Sequence, residues 1–340
     1  MKLVMTLLAR DEADIVDAQL SFHLNAGVDF VIATDNRSED GTTEILQRYA
    51  REGVLHWIDE RGDDLRQTEW VTRMARLAAT DFGADWVINA DADEFWWPRA
   101  PSLKELLASV PERYGVVRGA WRNFVPRPDD GGFFAERMTV RFTTPSFIDH
   151  PLGTHLKSAH RAVADVRIGR GNHEAFGDGL VPLRGWFPIE IFHFPVRSFE
   201  QCRRKYVTQF RALERNAERG IPEHMAEAHR AYLAGRLEDF YEPLVVRDDE
   251  IEDGVRERRL ALDTRLRDAL RALRDGRRFS FERPDVSEEA LFASESSALE
   301  ESDFGLALAA RIDGLERRVG RLERGTLTRI RGAVRRSLLL

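Results

Sequence analysis

Three carboxylates lie within four residues of one another in the segment WVINADADEFWWP, at 86–98. Asp91, Asp93 and Glu94 follow a hydrophobic run, and like charges at this spacing repel unless a positive charge or water lies among them. Two carboxylates on a tight turn can hold one hard divalent cation, such as Mg²⁺ or Mn²⁺, and leave positions open for phosphate oxygens. The segment therefore predicts a cation site at Asp91 and Asp93. The alternative is a solvated acidic turn with Trp96 and Trp97 packed below it.

A second polar turn, ATDNRSEDGT, occupies 33–42. Asp35 ends a predicted strand, and its carboxylate can accept a hydrogen bond from a nucleobase N–H or a ribose hydroxyl. The alternative is an ordinary helix N-terminus that is capped by Ser38 or Asp40.

The elements that position these carboxylates alternate between strand and helix over the first hundred residues. The predicted strands are 2–9, 28–35, 54–59 and 84–91, and the predicted helices are 12–27, 42–53 and 64–83. Such an order indicates a parallel sheet with helices on both faces. Ligands bind such sheets at the carboxyl ends of the strands, where Asp35 and Asp91 are expected to lie.

Composition narrows the class of protein. The chain has 340 residues, of which 43% are hydrophobic and 32% charged, as in a globular protein. Its one cysteine, Cys202, excludes an internal disulfide framework. No apolar run is long enough to span a bilayer. We therefore expect a protein that is cytoplasmic, or peripheral to the inner face of the cell membrane.

Charge is distributed unevenly along the chain. The net charge is −7, although residues 311–340 hold nine arginines against three acidic residues. The rest of the chain is therefore strongly acidic, so we expect no nucleic-acid partner. The tail also carries apolar residues in a 4-3-4-3 spacing from Leu308 to Leu322. The basic tail, at 306–340, can lie on an anionic membrane, pair with a second copy or remain solvated.

These motifs together resemble a known family. LLARDEADIVDAQLSFHLNAGVDFVIATDNRSEDGTTEIL followed by WVINADADEF is similar to family 2-like glycosyltransferases of the GT-A fold. More narrowly, it resembles a bacterial branch with an R-N-E start and a D-x-D-E-F metal motif. The likeness covers about residues 1–98 and continues through RGNHEAF and IFHFPVRSFEQCRRK to about 215.

The resemblance implies an α/β fold of GT-A type, that is, a Rossmann-like, mostly parallel central sheet with flanking helices. The implied domain is a GT-A domain at 1–215, with a nucleotide-binding half at 1–98 and an acceptor- and metal-completing half at 99–215. Beyond the resemblance, the residue pattern itself predicts a C-terminal helical region: a helical extension at 216–275, a polar linker at 276–305 and the basic tail.

The resemblance also implies roles for residues of the first half. Asp35 would contact the base, Arg10 and Glu12 would lie near the nucleoside, and Asp91 and Asp93 would hold the diphosphate through the metal. Either Arg66 or Arg73 would contact the donor. The chain departs from the branch at 11, where it has Asp instead of the usual Asn.

The second half would complete the site. His193 is the expected third metal ligand, with a core histidine as the alternative. His173 or Glu174 would be the general base, and Asp149 and Glu190 remain open for that role. Lys157 and Arg197 would neutralise the leaving diphosphate or be surface charges. Aromatic faces of Trp96, Trp97 and Trp121 would contact the acceptor or pack in the core.

The implied activity is transfer of a sugar from a nucleoside-diphosphate donor, a UDP- or GDP-sugar, to a glycan or other hydroxyl acceptor, with inversion. Mn²⁺ or Mg²⁺ would be the cofactor, and polysaccharide or glycoconjugate biosynthesis the setting. One alternative is a non-catalytic protein that binds a nucleotide sugar or a glycan. Another is a phosphatase with an aspartyl nucleophile, which usually carries its motif near the first strand instead of after the fourth.

Overall fold

The computed structural model describes residues 1–62, 66–143, 156–215 and 223–282, together with 293, 296, 297 and 300. The chain divides into two compact units, Met1–Asp285 and Val286–Leu340. All strands and helices named below belong to the first unit.

The described strands are β1 (Leu3–Ala9), β2 (Phe30–Asp35), β3 (Leu55–Asp59), β4 (Trp86–Asp91), β5 (Glu94–Pro98), β6 (Val116–Asn123), β7 (Val140–Phe142), β8 (Leu156–Arg161), β9 (Arg167–Ile168), β10 (Ala175–Phe176), β11 (Ile189–His193) and β12 (Leu260–Leu262). Eight of them form one central sheet in the order β3-β2-β1-β4-β8-β6-β11-β5. Two small two-stranded sheets pair β10 with β9 and β12 with β7.

Helices lie between these strands and follow them. They are α1 (Val16–Asn25), α2 (Thr42–Arg51), α3 (Gln67–Thr80), α4 (Leu103–Ala108), α5 (Phe134–Arg137), α6 (Phe199–Arg215), α7 (Glu223–Leu233), α8 (Leu237–Tyr241), α9 (Asp248–Arg256) and α10 (Arg265–Arg274), with short 3₁₀ turns at Arg170–Asn172 and Glu242–Leu244.

The first four strands form the parallel half of the sheet. β1 runs parallel to β2 and β4, with Ala9 opposite Asp35 and Leu8 opposite Asp91. Alternate residues of a strand face opposite sides of the sheet, so Met5 packs in one core cluster with α1 and α2, and Val4 packs in another with α3. Helices therefore cover both faces, which explains why β1 is buried almost throughout.

The second half of the sheet is mixed. β8 runs antiparallel to both β4 and β6, whereas β11 is parallel to β6. After β4 the chain makes a two-residue turn and enters β5, which pairs antiparallel with β11 at the far edge. This pairing places His193 opposite Glu94, and β6 places Asn123 on its other side. A strand from late in the chain thus reaches the acidic turn.

Helix α10, near the end of the first unit, packs against the core of that unit. Leu266 and Leu270 of α10 belong to the same core cluster as α1. Phe281, at the start of the predicted linker, is buried against Phe22 and Trp97. The first residues of 276–305 therefore belong to the compact unit, and the predicted domain boundaries otherwise stay predictions. The basic tail lies outside the described residues.

The predicted fold class is confirmed: an α/β protein with a mostly parallel central sheet, flanking helices and a C-terminal helical region. Every predicted strand and helix of the first hundred residues is present, with shifted ends. β5 and α4, which follow the last predicted strand, were not predicted. Within the part of the chain that the structure describes, no helix combines the length and the apolar character that a membrane crossing requires.

Candidate functional site

The DxD turn lies at the carboxyl edge of the parallel half. Asp91 is the last residue of β4, and Asp93 lies in the turn before β5. The turn is held to β11 by the amide of Phe194, which donates to the carbonyl oxygen of Asp93 at 2.9 Å. Asp93 is 5% exposed and Glu94 is fully buried. Asp93 and Glu94 are therefore not part of a solvated turn, whereas the Asp91 side chain is 28% exposed.

Lys157 supplies the positive charge beside Asp91 and Glu94. Its Nζ lies 2.6 Å from Asp91 Oδ2 and 2.8 Å from Glu94 Oε1. The side chain of Lys157, on β8, is 1% exposed, so the alternative that it is a surface charge is wrong. Burial would lower the pKa of Lys157, but the carboxylates of Asp91 and Glu94 raise it above its ordinary value. Lys157 therefore stays charged and neutralises one side of the cluster.

Glu94 is bound on several sides. Besides Lys157, the indole Nε1 of Trp121 donates to its Oε1 at 2.8 Å, and the amide of Asp91 donates to its Oε2 at 3.2 Å. Burial raises the pKa of Glu94, and the Lys157 ammonium opposes this shift. Glu94 therefore orders the turn from within the protein and has no access to a ligand in solvent.

Asp93 faces a lysine and a histidine. Lys205 Nζ, on α6, lies 2.7 Å from Asp93 Oδ2, and His193 Nε2 lies 3.8 Å from the same oxygen. Burial would raise the pKa of Asp93, but Lys205 and His193 hold it well below its usual range. Asp93 is thus an ionised carboxylate.

His193 is oriented by its neighbours. Its Nδ1 lies 2.7 Å from Asn123 Oδ1, and because an amide oxygen only accepts, Nδ1 carries the proton. Nε2 then lies on the Asp93 side, 3.8 Å from Asp93 Oδ2. Trp121 stacks on the ring at 3.8 Å between centroids. A histidine with one nitrogen held by an outer partner is the arrangement that metal-ligating histidines have.

A carboxylate oxygen and an imidazole nitrogen suit Mn²⁺ or Mg²⁺, so Asp93 and His193 fit as two ligands of such an ion. Asp91 is less open, because Lys157 contacts its Oδ2 and Asn172 Nδ2 donates to its Oδ1 at 3.1 Å. Among the residues that the structure describes, no group of three or more His, Cys, Asp or Glu side chains is gathered as a metal site.

Arg197 connects the N-terminal turn to the end of β11. Its guanidinium contacts Asp14 Oδ2 at 2.7 Å and Glu12 Oε2 at 2.5 Å, and Nη1 donates to the carbonyl oxygen of Phe194 at 3.0 Å. Arg197 is 1% exposed, so it is no surface charge, and its donors are engaged within the protein. Burial raises the pKa of Glu12 to about 7, and Arg197 opposes the shift. This contact fixes Glu12 beside the DxD turn.

Arg10 and Asp35 meet at the ends of β1 and β2. Arg10 Nη1 donates to Asn36 Oδ1 at 3.2 Å. Asp35, 3% exposed, accepts from the amide of Ser38 at 3.1 Å and from the hydroxyl of Thr43. Asp35 thus organises its own turn. The N-cap residue of α2 is Gly41, which has no side chain to cap the helix, and Asp40 Oδ1 accepts from the amide of Thr42 at 3.1 Å.

Arg66 and Arg73 line one cleft beyond β3, together with Glu60, Gly62 and Trp70. Arg73 Nη2 lies 3.0 Å from Glu60 Oε2, and Arg66 Nη1 lies 3.5 Å from Glu69 Oε2. The cleft is joined to the Asp35 turn, because Asn36 Nδ2 donates to the carbonyl oxygens of Glu60 and Gly62. Both arginines therefore remain candidates for donor contact.

The loop at 170–174 carries both candidate bases. His173 lies on the side of the DxD turn, and Glu174 lies away from it. Gly171 and Asn172 have φ values of 64° and 62°, in the left-handed region. The side-chain amide of Asn172 donates to Asp91 Oδ1. His173 Nδ1 lies 2.8 Å from the carbonyl oxygen of Leu156, and its ring lies edge-on to Trp121. Glu174 is exposed and lines a separate cleft with Arg118 and Phe176.

Other candidates are placed elsewhere. Trp96 is fully buried, and Trp97 packs among Phe192, Phe279 and Phe281, so core packing is correct for both and acceptor contact is wrong. Glu190 is buried between Arg122 and Arg265, which makes it a structural group and a poor base. Asp149 lies outside the described residues.

The sequence did not indicate Lys205 as a partner of the turn, nor the contacts of Trp121 with Glu94 and His193. Lys205 belongs to the quoted segment IFHFPVRSFEQCRRK, but its partner Asp93 lies 112 residues away. Trp121 lies within β6, where nearly every residue is buried, so the sequence pattern does not show which face of the sheet its side chain occupies. Only the pairing of strands from distant parts of the chain places both side chains at the turn. Cys202 is buried, and burial raises its pKa to about 12, as expected for an unreactive thiol.

No protein-family model and no curated protein matches the sequence. Among solved structures, glucosyl-3-phosphoglycerate synthase from Mycobacterium tuberculosis, in complex with Mn²⁺, UDP and glucosyl-3-phosphoglycerate, is 20% identical over 36% of this chain and 44% of its own, with a TM-score of 0.27. TarS from S. aureus, in complex with UDP, is 12% identical over 84% of this chain and 100% of its own, with a TM-score of 0.32. A 4-diphosphocytidyl-2C-methyl-D-erythritol synthase is 12% identical over 47% of this chain and 75% of its own, with a TM-score of 0.28.

The matched region spans less than half of the first of these proteins. TM-scores of this size, at these identities, assign neither a family nor an activity to this chain. The geometry of the DxD turn is what supports a function.

Proposed function

We propose that this protein is a glycosyltransferase of the GT-A type, which moves a sugar from a nucleoside-diphosphate donor to a hydroxyl acceptor. The observation that carries the proposal is the meeting of Asp93 with His193 at the carboxyl edge of the parallel strands. Asp93 comes from the first half of the sheet and His193 from the second. Edges of this kind are where open α/β sheets bind their ligands.

The donor would bind along this edge. Asp35 and the turn that holds Arg10 and Glu12 would receive the nucleoside, and Arg66 would contact the donor from its cleft. UDP- and GDP-sugars are the proposed donors. Asp93 and His193, with Asp91 beside them, would hold Mn²⁺ or Mg²⁺. A bound divalent cation supplies positive charge where negative charge develops on the departing diphosphate.

Lys157 would add a fixed charge to the same region. Its ammonium is locked between Asp91 and Glu94, so its position does not change as the reaction proceeds. Preorganised charge of this kind costs no reorganisation at the moment of reaction. Lys157 would therefore act on the diphosphate mainly by holding Asp91 in place.

Proton removal from the acceptor would fall to His173 or Glu174. His173 donates its Nδ1 proton to the carbonyl oxygen of Leu156, so its Nε2 can accept a proton from an attacking hydroxyl. The hydroxyl would then attack the anomeric carbon on the face opposite the diphosphate, with inversion. His173 is favoured over Glu174 because it follows Asn172, whose side chain contacts Asp91.

A second function has one observation in its favour. Lys157 and Lys205 already neutralise Asp91 and Asp93, so the acidic cluster does not need a cation in order to fold. This suits a non-catalytic protein that binds a nucleotide sugar or a glycan on the same fold.

Contact of the basic tail with an anionic membrane or a second copy also stays a prediction, as does a cytoplasmic or peripheral location.

A thermal-unfolding panel of UDP-, GDP-, CMP- and dTDP-sugars, with Mn²⁺ and with EDTA, tests the proposal. A ligand at a hundred times its dissociation constant adds about 2.7 kcal/mol of stability. We expect one nucleotide class to raise the melting temperature with Mn²⁺ and to lose that effect in EDTA. A rise that is equal in EDTA would favour the non-catalytic protein. No rise with any donor at millimolar concentration would reject nucleotide-sugar binding.

A further inference from the structure

Lys205 occupies the position from which a cation would reach Asp93. Its Nζ lies 2.7 Å from Asp93 Oδ2 and 3.3 Å from the carbonyl oxygen of Pro195. The same Oδ2 is the oxygen that faces His193 Nε2 at 3.8 Å. One carboxylate oxygen therefore has an ammonium on one side and an imidazole nitrogen on the other.

Asp93 needs one positive partner, because a buried carboxylate without a counter-charge is strongly destabilising. A divalent ion held by Asp93 and His193 would stand close to the Lys205 ammonium, and like charges at that range repel strongly in a partly buried site. Two such partners on one oxygen are unfavourable. Ammonium and cation are therefore expected to compete.

The two lysines of the cluster differ in their freedom to move. Lys157 is 1% exposed, bridges two carboxylates and lies over the Trp121 ring. Lys205 is 23% exposed and borders a small polar pocket that Arg10, Glu12, Arg204 and Thr208 also line. Lys205 alone of the two has a place to which its ammonium can turn.

We propose that Lys205 and the divalent cation are alternative counter-charges of Asp93, so that cation binding at Asp93 and His193 displaces the Lys205 ammonium toward the pocket beside Arg10. This inference rests on the proposed function, since it takes the cation site from there. Lys205 is then a positioning residue. Without a cation it keeps Asp93 ionised and in place, and with the cation bound it becomes a positive group beside the donor phosphates.

Calorimetric titration of Mn²⁺ into the full-length chain tests the competition. Lys205→Met removes the competitor, and Lys205→Gln keeps a hydrogen-bond donor without the charge. We expect both variants to bind Mn²⁺ roughly ten- to a hundredfold more tightly than the unchanged protein, the range that the loss of a charged hydrogen bond gives. Arg203→Met, on the same helix and paired with Glu200 at the surface, removes an equal charge and should change the affinity less than twofold.

Thermal unfolding in EDTA shows that the variants fold. We expect Lys205→Met to melt below the unchanged protein in EDTA, and Mn²⁺ to restore more of the melting temperature in the variant than in Arg203→Met. Equal or weaker Mn²⁺ binding by both Lys205 variants would overturn the inference, and so would a lack of Mn²⁺ binding by every form.

The inference and the proposed function fail in different ways. If the Lys205 variants gain Mn²⁺ affinity but no nucleotide sugar binds any form, the competition stands and the transferase proposal falls. If UDP- or GDP-sugars bind but no form binds Mn²⁺, the inference falls and donor binding stands.

Discussion

Three carboxylates share one turn because two ammonium groups, of which only Lys157 is fully buried, lie among them. Lys157 bridges Asp91 and Glu94, and Lys205 contacts Asp93. The repulsion expected from the sequence is thereby relieved within the protein, before any cation is considered. Each carboxylate keeps a different environment: Glu94 is enclosed, Asp91 is held by two donors, and Asp93 faces His193.

Removal of Lys157 should destabilise the protein strongly. Lys157→Met leaves Glu94 buried without its charged partner, and we expect a loss of about 3–5 kcal/mol in the free energy of unfolding, measured with urea. Adding Glu94→Gln should recover part of the loss, because the double variant no longer buries that unpaired charge. Losses that simply add in the double variant would show that the two side chains are not coupled.

Replacement of His193 should change the affinity for Mn²⁺ more than it changes the stability of the fold. We expect His193→Ala to weaken Mn²⁺ binding at least tenfold, because it removes one of two ligands, while the melting temperature in EDTA falls modestly. His23→Ala serves as the control, since His23 is a fully buried histidine that accepts from the amide of Trp96. It should lower stability and leave Mn²⁺ affinity unchanged. Unchanged Mn²⁺ affinity in His193→Ala would make His193 a core residue.

At the scale of residues, the sequence predicts the turn better than its partners. Asp91 and Asp93 can be proposed from spacing after a hydrophobic strand. Lys157 and Lys205 lie 66 and 112 residues from the carboxylates they contact, so no local pattern relates them. The pairing of these carboxylates with ammonium groups is a property of the folded sheet and cannot be read from any short segment.

Two charged contacts join elements that are far apart in the chain. Arg197, just after β11, holds the turn between β1 and α1 through Glu12 and Asp14. Glu190, within β11, pairs with Arg122 of β6 and with Arg265 of α10. Both contacts fix the strand that carries His193, and they do so from opposite ends.

Arg197→Lys should loosen the N-terminal turn. A lysine keeps the charge but cannot contact Asp14 through two nitrogens, so we expect a loss of about 2–4 kcal/mol in unfolding free energy. Hydrogen exchange of the amides at 11–16 should become faster than in the unchanged protein. Arg203→Lys, at an exposed ion pair, should stay within about 0.5 kcal/mol. Equal exchange rates at 11–16 in Arg197→Lys would contradict this role.

Glu190 should contribute stability that depends on pH. Burial alone would raise its pKa, but Arg122 and Arg265 hold the pKa well below its ordinary value of 4.5. A lowered folded-state pKa gives stability that is present above the unfolded pKa and is lost as pH falls through the folded one. We expect Glu190→Gln to cost about 3 kcal/mol at pH 7.

The stability difference between Glu190→Gln and the unchanged protein should shrink as the pH falls below about 4.5, toward the acid limit of folding. Urea unfolding of both proteins at several pH values measures it. A difference that stays constant from pH 7 to pH 3 would show that Glu190 does not carry this dependence.

At the scale of elements, hydrophobic runs and glycine stops predict the β-α-β units, because strands and helices are local patterns. β5 was missed because its pairing partner β11 begins about ninety residues later. From the sequence alone, EFWWP resembles a continuation of the turn. In the structure, its pairing with β11 makes it a buried strand. The same pairing converts Trp96 and Trp97 from candidate acceptor contacts into core residues.

At the scale of the whole molecule, the parallel half and the mixed half each contribute to one edge of the sheet. Asp35, Asp91 and Asp93 come from the first hundred residues, whereas Lys157, His193 and Lys205 come from the second half. The α/β class followed from the order of elements in the sequence. The arrangement of side chains at the edge could not be predicted from that order. It depends on β8 pairing between β4 and β6, and on β11 pairing between β6 and β5.

The most direct test of the central claim is release of nucleoside diphosphate from UDP- and GDP-sugars by the full-length protein with Mn²⁺, compared between the unchanged chain and Asp93→Asn. Asp93→Asn keeps the size of the side chain but loses the charge that would hold the cation, so we expect at least a hundredfold lower rate with the protein still folded. Arg203→Met should retain the full rate. Equal rates in Asp93→Asn and the unchanged chain, or no release from any donor in either, would contradict a cation-dependent transferase site at Asp93 and His193.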